Sequence, residues 1–173
     1  MLLADKKKEN NISEYIIYMY QTELLVRNFE FDIEKIKVHV FGNIADEKMS
    51  QKEKEKNLDW YQSVLSDMVQ EGLHKEGHLS YVQDEVEKLS ASSIALLGSN
   101  EDYRAIFNAA RPAIRENIQA SEGQITNPIQ VCLNGVFGLL LARMNGKEIP
   151  SEIQEQLEHF GNVLSFLSAK SGD

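Results

Sequence analysis

One cysteine, three prolines and ten glycines are all that the 173 residues hold of the types that staple or break a chain. A lone Cys132 excludes an intramolecular disulfide. Its place in an apolar run makes it a small buried hydrophobe rather than the mark of an oxidising compartment. So few prolines suit long uninterrupted helices better than a turn-rich β-protein. Basic residues are scarce as well: 18 Lys and Arg stand against 27 Asp and Glu, for a formal net charge of −9 and a pI of about 5.0. That balance repels a phosphate backbone and disfavours nucleic acid as a partner. The longest apolar segment, Val131 to Ala142, is interrupted by Asn134 and falls short of the roughly 20 residues that a bilayer-spanning helix needs. The charges of Asp5 to Glu9 follow a very short apolar stretch, the reverse of a secretory leader. The expectation is a cytoplasmic chain with no membrane partner.

Recognisable chemistry is absent too. The sequence has no Gly-rich phosphate loop, no Gly-x-Ser-x-Gly elbow, no cysteine pair for a metal and no dinucleotide fingerprint, and no cofactor is expected from it.

What the sequence does have is helical periodicity. At 42% hydrophobic and 26% charged residues it can bury a sizeable interior. No linker or repeat divides it, so residues 1–173 read as a single helical domain. A first helix spans Asn10 to Asn28, with Ile12, Tyr15, Ile16, Met19 and Val26 on one side. Asp32 caps a short second helix over Ile33 to Ile44, where a strand over Ile36 to Phe41 is a minor alternative. A charged connector from Asp46 to Lys56 leads into a third helix, which carries Leu58, Tyr61, Leu65 and Met68 and stops at Gly72. The fourth carries Leu79, Val82, Val86, Leu89, Ser93 and Leu96 in alternating steps of three and four, with Ser80 and Gln83 as a capping box. Ser99 or Asn100 caps the fifth, in which Pro112 predicts a kink or a restart. Asn127-Pro128 opens the sixth, apolar almost all round to Met144. Ser151 and Gln154 open the last. The fold class is therefore all-α, an irregular bundle of six to seven helices with the apolar helix near 128–144 at its centre.

Three groups of residues are candidates for chemistry. Glu23 and Arg27 sit four apart on the apolar side of the first helix, where a carboxylate needs a partner. With Asn134 and Arg143 of the sixth helix they would make a binding pocket or a buried polar cluster. The alternative is an ion pair that fixes helix register. Arg104, Arg111 and Arg115 form a basic stripe on the fifth helix, suited to a phosphate group or an acidic partner, or simply a solvated face. Glu71, His74 and His78 contain a single Glu-x-x-His step. Di-metal bundles use two such steps on inward-facing helices, so this is a weak metal set even with His39 or His159 added, and no metal is expected from it. Tyr15, Tyr18 and Tyr20 cluster on the first helix, Trp60 lies off the third helix's stripe, and all four read as core.

The run Glu9-Asn10-Asn11-Ile12-Ser13-Glu14-Tyr15-Ile16-Ile17-Tyr18-Met19-Tyr20-Gln21-Thr22-Glu23 resembles the opening of a bacterial domain-of-unknown-function family, number 4924. Glu71-Gly72, Gly77-His78-Leu79 and the stretch Cys132 to Arg143 resemble its later landmarks, so the likeness extends over nearly the whole chain. Tyr20 stands where that family often has Trp, and Leu24 where it has an acidic residue, which weighs against a paired-carboxylate site at Glu23. The resemblance implies an all-helical bacterial cytosolic protein and transfers no activity. The leading functional expectation is a non-enzymatic ligand-binding or protein-interaction module. The alternatives are a metal-dependent helical-bundle enzyme on Glu71, His74 and His78, and a structural homo-oligomer built on the fourth helix or the aromatic edge of the first.

Overall fold

The computed structural model describes residues 2–45 and 47–172, so Asp46 of the charged connector lies outside the described residues. Among those described, eight helices and no strand form. They are α1 (Leu3–Asn10), α2 (Ile12–Asn28), α3 (Ile33–Phe41), α4 (Gln51–Gln70), α5 (Ser80–Ser99), α6 (Glu101–Ala120), α7 (Pro128–Met144) and α8 (Ser151–Ser171). None is long and apolar enough to cross a membrane.

The extra helix is α1. Its Asp-Lys-Lys-Lys-Glu run has no apolar stripe, and Ala4 is its buried residue. Three of the predicted caps form as local chemistry requires. Asp32 accepts from the Glu34 and Lys35 amides, Asn100 from Tyr103, and Asn127 from Ile129 and Gln130. Two do not. Ser80 Oγ donates to Glu71 instead of closing a box with Gln83, and α8 starts after Pro150 without a side-chain cap. Pro112 neither ends nor restarts α6. It lies on the solvent side, as does Asn108 four residues earlier, so water can take the carbonyl left without a donor.

The chain divides into two compact units. The larger comprises Leu3–Ile17 and Gln83–Asp173. In it α6, α7 and α8 pack against one another pairwise, around a core that includes Phe107, Ile114, Leu133, Phe160 and Leu167. Buried hydroxyls are paired off: Ser13 Oγ with Ser168 Oγ at 2.6 Å and Ser93 Oγ with Tyr103 Oη at 2.6 Å. The Ser90 and Asn127 side chains bond across α5 and the start of α7.

The expected central position of the apolar helix needs correction. Only Ile129, Val131, Cys132 and Leu133 of α7 are buried, and from Asn134 to Met144 every residue is half-buried or exposed. Apolarity on all sides signals that a helix could be enclosed; it does not supply neighbours on all sides. Gly138 shows the consequence, for a Cβ placed there meets no atom within 4 Å. Gly138→Ala should raise stability by about 0.5–1 kcal/mol, because nothing clashes and the unfolded chain loses freedom. A shift of the urea midpoint to higher concentration at unchanged slope would confirm it, and a downward shift would refute it.

Burial pushes the Cys132 thiol up to about 12 from an ordinary 9.0, and the Tyr103 hydroxyl up to about 12 from 10.0. Both groups are neutral when protonated, and the folded state holds the proton more tightly than the unfolded one. Their contribution is therefore complete below about pH 9 and is lost as the pH climbs towards about 12. Urea titrations at stepped alkaline pH should show this fall, with a smaller slope in Cys132→Ala.

The smaller unit, Tyr18–Val82, holds the rest of α2 with α3, α4 and the α4–α5 connection. α3 packs against α4. Phe41 meets the Tyr61 ring edge-on at 6.4 Å, and Trp60 stacks on Tyr18 at 5.8 Å. Tyr18 donates to Tyr61, and burial raises both hydroxyls above the ordinary phenol range.

Candidate functional site

The apolar side of α2 carries Ile16, Met19, Tyr20 and Val26, and the helical period of roughly 100° per residue places Glu23 among them. Glu23 is 0% exposed. A carboxylate so placed must find donors, and it finds two, 55 and 56 residues away in the chain. Its Oε1 lies 2.8 Å from His78 Nδ1, and its Oε2 accepts the Leu79 amide at 2.7 Å. The imidazole of His78 lies flat against the Tyr20 ring, with centroids 3.8 Å apart and planes 18° from parallel.

Arg27, one turn further along α2, faces the same connection. Its Nε donates to the Leu73 carbonyl at 3.0 Å, and a terminal nitrogen donates to the Gly77 carbonyl. Glu23 and Arg27 therefore do not pair with each other. The carboxylate reads an amide and an imidazole, the guanidinium reads two carbonyls, and together they fasten the backbone from Leu73 to Leu79. Gly72 and Gly77, at φ of +71° and +97°, supply the left-handed turns that let this connection fold back. A second carboxylate assists. Glu71 accepts the Ser80 amide at 2.9 Å and the Ser80 hydroxyl at 3.1 Å, so two acidic side chains satisfy the first amides of α5.

Asn134 and Arg143 belong to the larger unit and are exposed; Asn134 accepts from Gln130 at 2.9 Å. On α6, Arg104 donates to the Leu97 carbonyl, Arg111 donates to Asn108 and covers the Phe107 ring at 5.0 Å, and Arg115 is exposed. Two of the three arginines in the stripe are thus engaged within the chain. Of the weak metal set, His74 packs on Phe31 at 4.8 Å while Glu71 and His78 hold the contacts above. Among the described residues no group of three or more His, Cys, Asp and Glu is placed to hold a metal ion.

A feature with no signal in the sequence is the surface beside α3. A hollow of about 420 Å³ opens between α3 and α4, with Val38, Phe41 and Leu58 as its apolar wall and Glu34, Lys37 and Glu55 among its charged residues. A second, of about 500 Å³, lies beside Phe29, Lys35 and His39 and shares Glu34 and Val38 with the first. Val38, 70% exposed, is the ridge between them.

A family model described as Domain of unknown function (DUF4924) matches residues 1–172. The chain belongs to that family. No curated protein and no solved structure matches it.

Proposed function

We propose that this member of the family is a binding module of the bacterial cytoplasm, with residues 1–173 acting as one domain, and that it takes a small amphipathic molecule in the hollow between α3 and α4. The observation that carries this reading is the hollow itself. Its volume of about 420 Å³ falls within the usual span for small-molecule sites, and an apolar wall with a few polar groups is their usual make-up. A ligand's apolar body would remove Val38, Phe41 and Leu58 from water, while Lys37 on one side and Glu34 and Glu55 on the other would orient its polar group. Glu34, Lys37 and Glu55 form no ion pair with described residues, so contact with a ligand breaks none. The proposal of one domain draws on continuity: α2 and α5 each run unbroken across the boundary between the compact units.

A fluorescence titration with 8-anilinonaphthalene-1-sulfonate tests the reading, since this probe pairs fused apolar rings with one anionic group. Saturable binding near one per chain is the expected result. Val38→Glu should weaken it at least about tenfold, or roughly 1.4 kcal/mol. Val69→Glu, at an exposed apolar position on α4 outside the hollow, should leave it unchanged. Equal binding by wild type and Val38→Glu would remove the hollow as the site.

A further inference from the structure

His78 differs from the other three histidines in how it is held. A carboxylate oxygen can only accept, so the 2.8 Å contact between Glu23 Oε1 and Nδ1 puts the ring proton on Nδ1. In the neutral ring the lone pair then lies on Nε2. That nitrogen has no hydrogen-bond partner among the described residues, and no buried side-chain nitrogen or oxygen there goes unpartnered, so Nε2 is not sealed from solvent. The His78 side chain is 30% exposed, whereas Glu23 is fully buried. Tyr20 fixes the ring plane, and Arg27 on the Gly77 carbonyl fixes the preceding backbone. An imidazole oriented through Nδ1 by a carboxylate, with Nε2 presented outward, is how proteins prepare a histidine for nucleophilic or basic work. Fastening the connection needed no histidine, because the Leu79 amide already gives Glu23 one donor and any small donor would serve for the other.

We propose that His78 is a nucleophilic imidazole that accepts an activated acyl group at Nε2. The Nε2 lone pair forms the bond to the carbonyl carbon, and the leaving group departs with the electron pair of the bond it breaks. The ring, still protonated at Nδ1, becomes a cation facing the Glu23 carboxylate. Water then attacks the acyl carbon, the bond from that carbon to Nε2 breaks with its electron pair returning to the ring, the acid is released, and the second water proton passes to the departed leaving group. This is one prepared position, independent of the hollow beside α3, and it stands whether or not that hollow binds a ligand.

Diethyl pyrocarbonate, an activated acyl compound, tests the proposal on the intact chain at neutral pH, with peptide mapping by mass spectrometry to follow all four histidines in one sample. Exposure alone would place His39 and His74, both exposed, ahead of the half-buried His78 and His159. The expected result is the reverse for one residue: His78 acylates several-fold faster than His39 and His74. Glu23→Gln supplies the second arm. Its amide oxygen takes the Leu79 amide, its NH₂ turns to Nδ1, and the ring must shift its proton to Nε2, which removes the nucleophilic lone pair. The His78 rate should fall below those of His39 and His74 while the other three stay unchanged. Should Glu23→Gln not fold, the wild-type order decides by itself. His78 lagging the exposed pair in wild type, or reacting unchanged in a folded Glu23→Gln, would overturn the proposal.

Discussion

Glu23→Ala should destabilise the protein by about 3–5 kcal/mol, because two donors each lose their acceptor at about 1–3 kcal/mol. The substitution takes their acceptor from the Leu79 amide and His78 Nδ1 at a position that is fully buried. For a chain of this length the melting temperature should fall by roughly 10 °C. Arg27→Met provides the comparison. It frees the Leu73 and Gly77 carbonyls, but Arg27 is only half-buried and Gly77 is exposed, so water replaces the guanidinium at a cost of about 1–2 kcal/mol. Urea unfolding of both variants gives the order, and amide exchange gives the place, with faster exchange starting at Leu79 and Ser80. If Glu23→Ala costs no more than Arg27→Met, the carboxylate is not the anchor of the connection.

Which parts of this were legible beforehand follows from the range over which each interaction acts. Periodicity marked seven of the eight helices. It missed α1, whose single buried residue, Ala4, leaves no stripe to read. Asp32, Asn100 and Asn127 were readable as caps because each side chain bonds amides two or three residues ahead. Ser80 was not, because Glu71, nine residues back, outcompetes Gln83 for it. The heptad-like stripe holds as far as Ser93: Leu79, Val82, Val86, Leu89 and Ser93 are buried, and Leu96 is half-buried.

The candidate site was legible by half. A carboxylate and a guanidinium on an apolar face announce that partners exist, and spacing by four suggested that they were partners to each other. The donors that Glu23 takes lie more than fifty residues away, and one is a backbone amide, which carries no residue-type signal. Arg27 reads only carbonyls, so no sequence pattern identifies its targets. Pairing His78 with Glu23 required the turns at Gly72 and Gly77, and a glycine in a sequence does not say which way the chain turns.

In the larger unit, Gly135 and Phe160 should prove strongly coupled. A Cβ at Gly135 would lie 2.7 Å from Phe160 Cδ2 and 3.1 Å from Leu157 Cδ2, closer than carbon atoms pack. Phe160 is 2% exposed and sits in the shared core of α6, α7 and α8, so its ring cannot swing aside. Gly135→Ala alone should therefore destabilise by about 1–3 kcal/mol, although alanine is intrinsically the better helix residue by about 1 kcal/mol. Phe160→Ala alone should lose about 3–5 kcal/mol through the cavity it leaves. In the Phe160→Ala background the closest clash is gone, the flexible end of Leu157 can give way into the space left, and part of the cavity is filled by the new methyl group. Gly135→Ala should then change sign and stabilise by about 1 kcal/mol, giving a coupling of roughly 2–4 kcal/mol from a double-mutant cycle in urea. Additive losses would mean that α7 and α8 move apart to admit the methyl group, and that the close approach at Gly135 does not fix the spacing of the two helices.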